Sequence, residues 1–466
     1  MGENNIVHHV TNIIDLPEAM IHHITSSLSL RDMAYMSISS KRWRYLCYTT
    51  PYINIDKDKV VLGNLPKQLS SSFLKFVNRL FILHLNNLQR LTISCADLVD
   101  EYVVESWILK AIECSVQELD LTIPANYSFN PRGIFTLPSL RILKLNLNNA
   151  FLKSIYCIKL TNLHTLSLTY VWLPFPYFLN LFPSLKTLSL YDCYGFATLS
   201  LISSSLETLS IIQKAYSSIS INDLDIYCDT LKTLNLDLAS PNQLLKTFKL
   251  SAPNVHTFAC SAVALNCHVL KPLNSLKDAT IYIYNIHVVN DWELVKNFGS
   301  QLLTHVNHAK VLRLCSQYLQ ILAGMMIAAP VSTLSNLEHL TLFTHKLNNW
   351  ESSSIIYILQ RSSNMKTLKI SREYYCCVIP EVSNEIIQQM EFVHHLKLVE
   401  MSLLGDGETN LKLLKYLFNT GKALEQITIF YDSLTDSNIA KRFDQKLSVI
   451  QKTSSSPFAR LSFLPN

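Results

Sequence analysis

Fifteen histidines and eleven cysteines are the residues of this 466-residue chain with the plainest capacity for metal or nucleophilic chemistry. Their spacing argues against it. Three histidine pairs are adjacent, His8-His9, His22-His23 and His394-His395. Neighbouring side chains on a helix or strand diverge, so such a pair does not converge on one ion. His305 and His308 stand at helical i, i+3 spacing near Cys315, yet a tetrahedral zinc site needs one more convergent ligand than the sequence places. The cysteines are scattered, with no C-x-x-C pair, and Cys376-Cys377 reads as a small-residue strand or loop pair. A nucleophile needs a positioned base and a third orienting group, and no local motif assembles them. The expectation is a protein with no metal, no cofactor and no catalytic residue.

Phosphate chemistry fares no better. With 9 glycines, the chain has neither G-x-x-x-x-G-K-[ST] nor G-x-G-x-x-G, and the nearest approach, Gly405-Asp406-Gly407, is acidic. Net charge is +5, and Lys and Arg are spread along the sequence, which predicts no nucleic-acid footprint. The densest basic spot, Lys41-Arg42-Trp43-Arg44, reads as an exposed helical face. No apolar run reaches the ~18 residues of a membrane span, and Leu319 to Ala329 fits a buried core helix. Met1 to Asn12 lacks the charged start and apolar run of a signal peptide. Reduced thiols and residence in the cytosol or nucleus follow as expectations.

What the chain does have is apolar material in a repeating order. Hydrophobic residues make up 48% and charged residues 16%, with a mean hydropathy of +0.18. The pattern L-x-x-L-x-L starts clearly at Leu140, Leu163, Leu185, Leu206 and Leu231, and later at Leu337, Met365 and Leu424. Degenerate copies start at Leu88, Val116, Val255, Leu276 and Ala309. From Leu140 to Leu276 the starts lie roughly 21 to 25 residues apart, inside the period of leucine-rich repeats. In each copy the last two leucines alternate at period two and share one side of a short strand. One such strand cannot bury its apolar side alone, but stacked neighbours form a continuous core.

Asn148 and Cys193 occupy the position that closes the turn after two of the strands, and Pro-Ser-Leu at 138–140 and 183–185 marks the turn that feeds them. Segments such as Asn290 to Phe298 and Ser352 to Arg361 have the length and spacing of a returning helix. The expected fold is therefore α/β: parallel strands on a concave face, with helices or irregular segments behind. Its exposed strand positions include Thr165, Ser167, Thr187, Ser189, Tyr191, Ser210, Asn235, Asp237 and Lys369. A row of such side chains suits recognition of a protein or peptide.

Residues 12–57 do not follow the repeat. Asp15 can cap a helix that Pro17 tolerates in its first turn, and Ile21, Ile24 and Leu28 then share a face. A second helix starts near Ser29 or Arg31 with Met33, Met36 and Ser37 inward, and a third contains Trp43 and ends at Thr49-Thr50-Pro51. About 45 residues bury little surface of their own, so apolar groups are left for another element or a partner.

The run from Leu16-Pro17 through Ile21-His22-His23-Ile24 and Leu28-Ser29-Leu30-Arg31-Asp32 to Ser40-Lys41-Arg42-Trp43-Arg44 resembles an F-box of the plant form that precedes leucine-rich repeats. Thr25 and Ser27 stand where that pattern commonly has Leu and Phe. The resemblance implies docking to the adaptor subunit of a cullin–RING ubiquitin ligase. The implied contacts are Leu16, Pro17, Ile21, Ile24, Leu28 and Leu30, with Trp43 steadying the bundle.

The stretch from His394-His395-Leu396-Lys397 through Leu411–Leu417 to Leu424–Ile429, with the ending Ser456–Phe463, resembles the FBD region of the same plant proteins. Read from its residues, it is a further strand and a helix from about Asn410 to Thr420 closed by Gly421. The expected organisation is a disordered tail over 1–11, a helical F-box-like module over 12–57, the repeat solenoid over 58–390 and a capping FBD-like region over 391–466. The function implied is substrate recognition for an SCF-type ligase, without catalysis of its own and without a membrane or nucleic-acid partner. The alternative is a protein-binding scaffold with a degenerate F-box. A small molecule acting as glue for the protein substrate is a third reading.

Overall fold

The computed structural model describes residues 16–55, 71–83, 88–94, 100–123, 132–148, 160–173, 181–214, 221–238, 245–261, 264–282, 292–319, 334–344, 347–372, 395–403, 407–431, 437–452 and 459–465. The expected tail over 1–11, His8-His9, Asp15, Cys376-Cys377, His394, Gly405-Asp406 and all but the first residue of the run from Leu319 to Ala329 lie outside them. The chain divides into two units, Met1–Phe196 and Ala197–Asn466.

The first unit opens with three helices, α1 Glu18–Thr25, α2 Leu30–Ser39 and α3 Lys41–Thr49. Pro17 is the N-cap itself rather than a residue of the first turn, and its carbonyl accepts from the amides of Met20 and Ile21 at 3.0 and 3.1 Å. Proline suits that place because its fixed φ, here −55°, needs no donated N–H. Ser29 and Ser40 cap α2 and α3 by accepting from the amides of Asp32 and Trp43, each at 3.1 Å. Ile21, Trp43 and Leu46 form the bundle core, against which Leu16 and Met36 pack. Met33 and Ser37 are buried, as the helical spacing predicts.

Residues expected in the helical module also begin the sheet. Tyr52–Ile55 is β1, paired in parallel with β2 Arg90–Ile93. Then come β3 Glu118–Thr122, β4 Ile142–Asn146, β5 Thr165–Thr169 and β6 Thr187–Tyr191, each parallel to its predecessor. Helices α4 Ser71–Leu83, α5 Glu101–Glu113 and α6 Arg132–Phe135 occupy the returns between the early strands. Every repeat leucine of β4, β5 and β6 is buried. Each fully buried leucine contributes roughly 2 kcal/mol relative to exposure.

The second unit contains two parallel sheets. The first takes one strand from each L-x-x-L-x-L copy, in the order β8 Thr208–Ile212, β10 Thr233–Asp237, β12 Thr257–Ser261, β14 Asp278–Tyr282, β15 Val311–Cys315, β16 His339–Thr344 and β17 Thr367–Arg372. It continues through β18 Leu398–Ser402, β19 Gln426–Tyr431 and β20 Arg460–Pro465. The expected FBD-like strands thus extend the same ladder. The second sheet has the order β13-β11-β9-β7, from Ala264–Val269, Leu245–Ser251, Asp223–Tyr227 and Thr198–Ile202.

That second sheet departs from the expected helical or irregular return. The repeats here are short, and their returns alternate at period two, as in Thr198-Leu199-Ser200-Leu201 and Asp223-Leu224-Asp225-Ile226. A strand buries such a pattern on one side; a helix would scatter it. Four of the longer returns are helical: α7 Trp292–His305, α8 Asn349–Arg361, α9 Glu408–Thr420 and α10 Ser437–Lys452.

Hydrogen bonds between successive repeats fix their stacking. Asn162 and Asn254 donate through Nδ2 to the carbonyls of Pro138 and Asp229 at 2.9 and 2.7 Å, and Thr230 Oγ1 donates to Leu206 at 2.8 Å. At the strand exits, Asn148 Nδ2 donates to Ile123 O at 3.0 Å and Cys193 Sγ to Leu168 O at 3.3 Å. The turn-closing positions read from the sequence therefore tie each repeat to the one before it. Gly421 closes α9, though at φ −83° rather than in the left-handed region; a Cβ there would lie 2.6 Å from Leu417 O.

Candidate functional site

Two kinds of surface stand out, the helical module of the first unit and the strand faces of both units. On the helical module, the structure separates the expected contact residues into two groups. Pro17 and Ile24 are exposed, and Leu16 and Leu28 are half-buried. Ile21 and Leu30 are 0% exposed, and their side chains lie in the module's interior. Thr25 is also buried, with its hydroxyl donating to His22 O at 3.0 Å, so its polar atom is satisfied inside the bundle. Ser27 is exposed.

The apolar surface that remains comes largely from residues the sequence reading passed over. Ile38 is 74% and Tyr35 60% exposed, and Met20 and Tyr45 are each more than half exposed. Met20 and Ile24 lie four apart on α1, and Tyr35 and Ile38 three apart on α2, so each pair shares a helix face. This second stripe, offset from Met33 and Ser37, was the signal available in the sequence. Lys41, Arg42 and Arg44 are exposed as expected, and Arg44 Nε donates to Ser37 O at 3.1 Å.

On the strands, the side chains between the buried leucines form rows set by the register. In the first unit Thr165 aligns with Thr187, and Ser167 with Ser189, while Thr169 aligns with Tyr191. The ring of Tyr191 meets that of Tyr170 edge-on at 5.9 Å. Earlier strands of the same face carry paired charges, Arg90 with Glu118 and Lys144 with Asp120. Burial raises the Asp120 carboxyl above its ordinary pKa, opposed by Lys144. In the second unit Ser210 aligns with Asn235, whose Nδ2 donates to the serine hydroxyl at 3.3 Å, and Asp237 pairs with Lys214 at 3.4 Å. Lys369 is exposed and pairs with Glu400 at 2.9 Å. The expected strand-face residues are all at least partly accessible, in three separate groups along the ladders.

Further residues, on the copies starting at Leu276, Ala309, Leu337 and Met365, were missed from sequence. Arg313 donates to Asp278 and, at 3.4 Å, to Thr280, and the rings of Tyr282 and Phe343 lie 5.6 Å apart. Glu338 is flanked by Lys366 at 2.6 Å and Lys310 at 3.4 Å, which hold its carboxyl below the usual range.

The candidates for metal and thiol chemistry are not brought together. Among the described residues no three His, Cys, Asp or Glu side chains gather as metal ligands. His305 ends α7 and His308 lies in the following turn, which breaks their helical spacing. The seven described cysteines are buried free thiols. Burial pushes the Cys193 thiol up to about 12, and those of Cys47, Cys228 and Cys267 to about 11. A thiolate nucleophile is disfavoured at each. A cavity lined by Leu303, Leu312, Leu334 and Tyr357 has a volume of about 10 Å³, room for one water and not for an organic ligand. No helix among the described residues is long and apolar enough to cross a membrane.

Comparison with known proteins matches residues 13–52 to the F-box domain. A putative F-box/FBD/LRR-repeat protein of Arabidopsis thaliana is 25% identical, over 93% of this chain and 86% of its own length. An F-box/LRR-repeat protein of the same plant is 24% identical, over 95% and 93%. A further putative F-box/FBD/LRR-repeat protein from it is 28% identical, over 90% and 89%.

Proposed function

We propose, from the premise that this chain belongs to the plant F-box/LRR/FBD family, that it is the substrate-recognition subunit of a cullin–RING ubiquitin ligase of SCF type. The F-box module docks on the adaptor subunit, and the exposed strand faces hold the protein to be modified. Ubiquitin transfer itself belongs to other subunits, so the chain positions a substrate and performs no bond chemistry. Its place of work is the cytosol or nucleus, where buried free thiols stay reduced.

One observation carries the reading: three short helices present Met20, Ile24, Tyr35, Ile38 and Tyr45 to solvent while their own core is filled. Water-exposed apolar side chains in such number on so small a bundle are what a binding partner covers. The contact set is therefore redrawn. Pro17 and Ile24 with Met20, Tyr35 and Ile38 meet the adaptor, Leu16 and Leu28 lie at the margin, and Ile21 and Leu30 support from within.

The test is co-purification with the adaptor. Wild-type chain is expected to retain it. Tyr35→Ala with Ile38→Asp is expected to lose it at an unchanged melting temperature, because both side chains are exposed. Wild-type chain that fails to hold adaptor points instead to a scaffold with a degenerate F-box.

A further inference from the structure

We infer that the exposed face of β14–β17 is the substrate-docking centre of the second unit, and that the segment it takes is an acidic stretch of protein anchored by an apolar side chain. This rests on the substrate-recruiting reading above and specifies the chemistry of the substrate.

Along the sequence the cationic residues are dispersed; the register collects them. Arg313 and Lys369 stand on the exposed rows of β14–β17; Lys277, Lys310 and Lys366, each the residue just before its strand, are exposed at the leading edge of that face, and Arg372 ends β17. Only two carboxylates, Asp278 and Glu338, share these four strands, leaving a net charge of +4 on a chain whose total is +5. The strands on either side show that this is local. β8, β10 and β12 carry Glu207, Lys232 and Asp237, and β18, β19 and β20 carry Lys397, Glu400, Glu425 and Arg460. Both flanks are close to neutral.

Parallel strands lie about 4.8 Å apart and rise about 3.3 Å per residue, so the cations fall within an area about 15 Å across the strands and about 20 Å along them. Glu338 is shared between Lys310 and Lys366, Asp278 is taken by Arg313, and Glu400 on the neighbouring β18 pairs with Lys369 at 2.9 Å, so each of these carboxylates is already engaged. These pairs are solvent-exposed and individually weak, which lets an incoming carboxylate exchange with them at little cost. Tyr282 and Phe343 stand on the same face, one row beyond Thr280, Arg313 and Thr341. Half-buried aromatic rings beside cations form the usual anchor of an interface hot spot. An acidic segment with one apolar or aromatic residue satisfies both features. The charge pattern repels a basic one.

The experiment titrates the full chain against two labelled peptides of about twelve residues. Both contain two phenylalanines; one is otherwise rich in glutamate, the other in lysine. A single-stranded RNA oligonucleotide forms a third arm. The glutamate peptide is expected to bind, about tenfold less tightly when salt is raised from low to well above physiological strength. Neutralising Lys310, Arg313 and Lys369 to Gln should weaken it by a further tenfold or so, whereas Tyr282→Ala with Phe343→Ala should weaken it without changing the salt dependence. A control, Lys232→Gln with Lys397→Gln on the flanking strands, should bind as wild type. The inference is overturned if the lysine peptide binds equally well, if the Gln variant retains full affinity, or if RNA binds more tightly than the glutamate peptide. Adaptor binding is scored separately, so loss of the ligase reading leaves this result standing, and the reverse holds.

Discussion

The F-box module and the β14–β17 face leave opposite kinds of side chain in water. The helices display Met20, Tyr35 and Ile38, and the strands display lysines and arginines around one aromatic pair. The cause is geometric. Three short helices have too few residues to bury all their apolar positions, so some remain outside. A parallel strand within a stacked ladder buries every second residue against its neighbours, and the other half is free to vary in charge without touching the core. Exposed apolar side chains suit an apolar partner surface. A variable polar face suits a particular substrate. The two associations should therefore differ in how they respond to salt and to mutation.

The largest expected effect lies outside both surfaces and calibrates them. Leu234→Ala, at a fully buried repeat leucine, should lower the stability of the second unit by about 2–5 kcal/mol in urea unfolding. Adaptor binding should persist under native conditions, because the module lies in the other unit. Next comes the module itself: Ile38→Asp should weaken adaptor binding by about 2 kcal/mol or more, roughly thirtyfold, with unfolding unchanged. Raising salt should then separate the surfaces, with adaptor affinity nearly constant while glutamate-peptide affinity falls. Smaller still is thiol reactivity. With its thiol pushed up to about 12 and buried, Cys193 should resist alkylation at pH 8 in the native chain and react once urea unfolds it.

The smallest effect concerns Glu351, buried at the start of α8. It accepts from Asn348 N at 2.8 Å, Thr344 Oγ1 at 2.9 Å and Ser316 Oγ at 2.5 Å. Burial outweighs these donors and raises its pKa above the ordinary 4.5. The folded state therefore holds the proton more tightly than the unfolded state. The stability linked to that proton is fully present below the unfolded pKa and is lost as pH rises through the folded value. Glu351→Gln removes the titration, so the stability of wild type relative to the variant should fall between acidic and neutral pH in urea unfolding.

Much of the fold was readable from residue order. The regular copies from Leu140 to Leu231 lead into β4, β5, β6, β8 and β10, and even the degenerate starts at Leu276 and Ala309 lead into β14 and β15. Asn148 and Cys193 were identifiable because a turn position that bonds the previous repeat tolerates few residue types. The second sheet was not foreseen, since a repeat motif specifies its own strand and leaves the return open. Thr198–Ile202 and Asp223–Tyr227 carried the period-two pattern that could have revealed it.

The sites were less legible than the fold. Ile21 and Leu30 were marked by their apolar character, which identifies core and contact residues alike; only burial separates them from Met20 and Ile38. The basic face was hidden for another reason. Lys277 and Lys366 lie 89 positions apart in sequence and only three strand spacings apart in the sheet. Dispersal along the chain says little about charge density when repeats stack in register.

The central claim is that the module's exposed apolar face holds the adaptor. Calorimetric titration of purified adaptor into the full chain and its Ile38→Asp variant tests it most directly. Binding by the wild type with a negative heat-capacity change, lost in the variant, is the predicted result. A wild-type chain that gives no binding heat at any temperature, or a variant that binds as tightly as wild type, contradicts it.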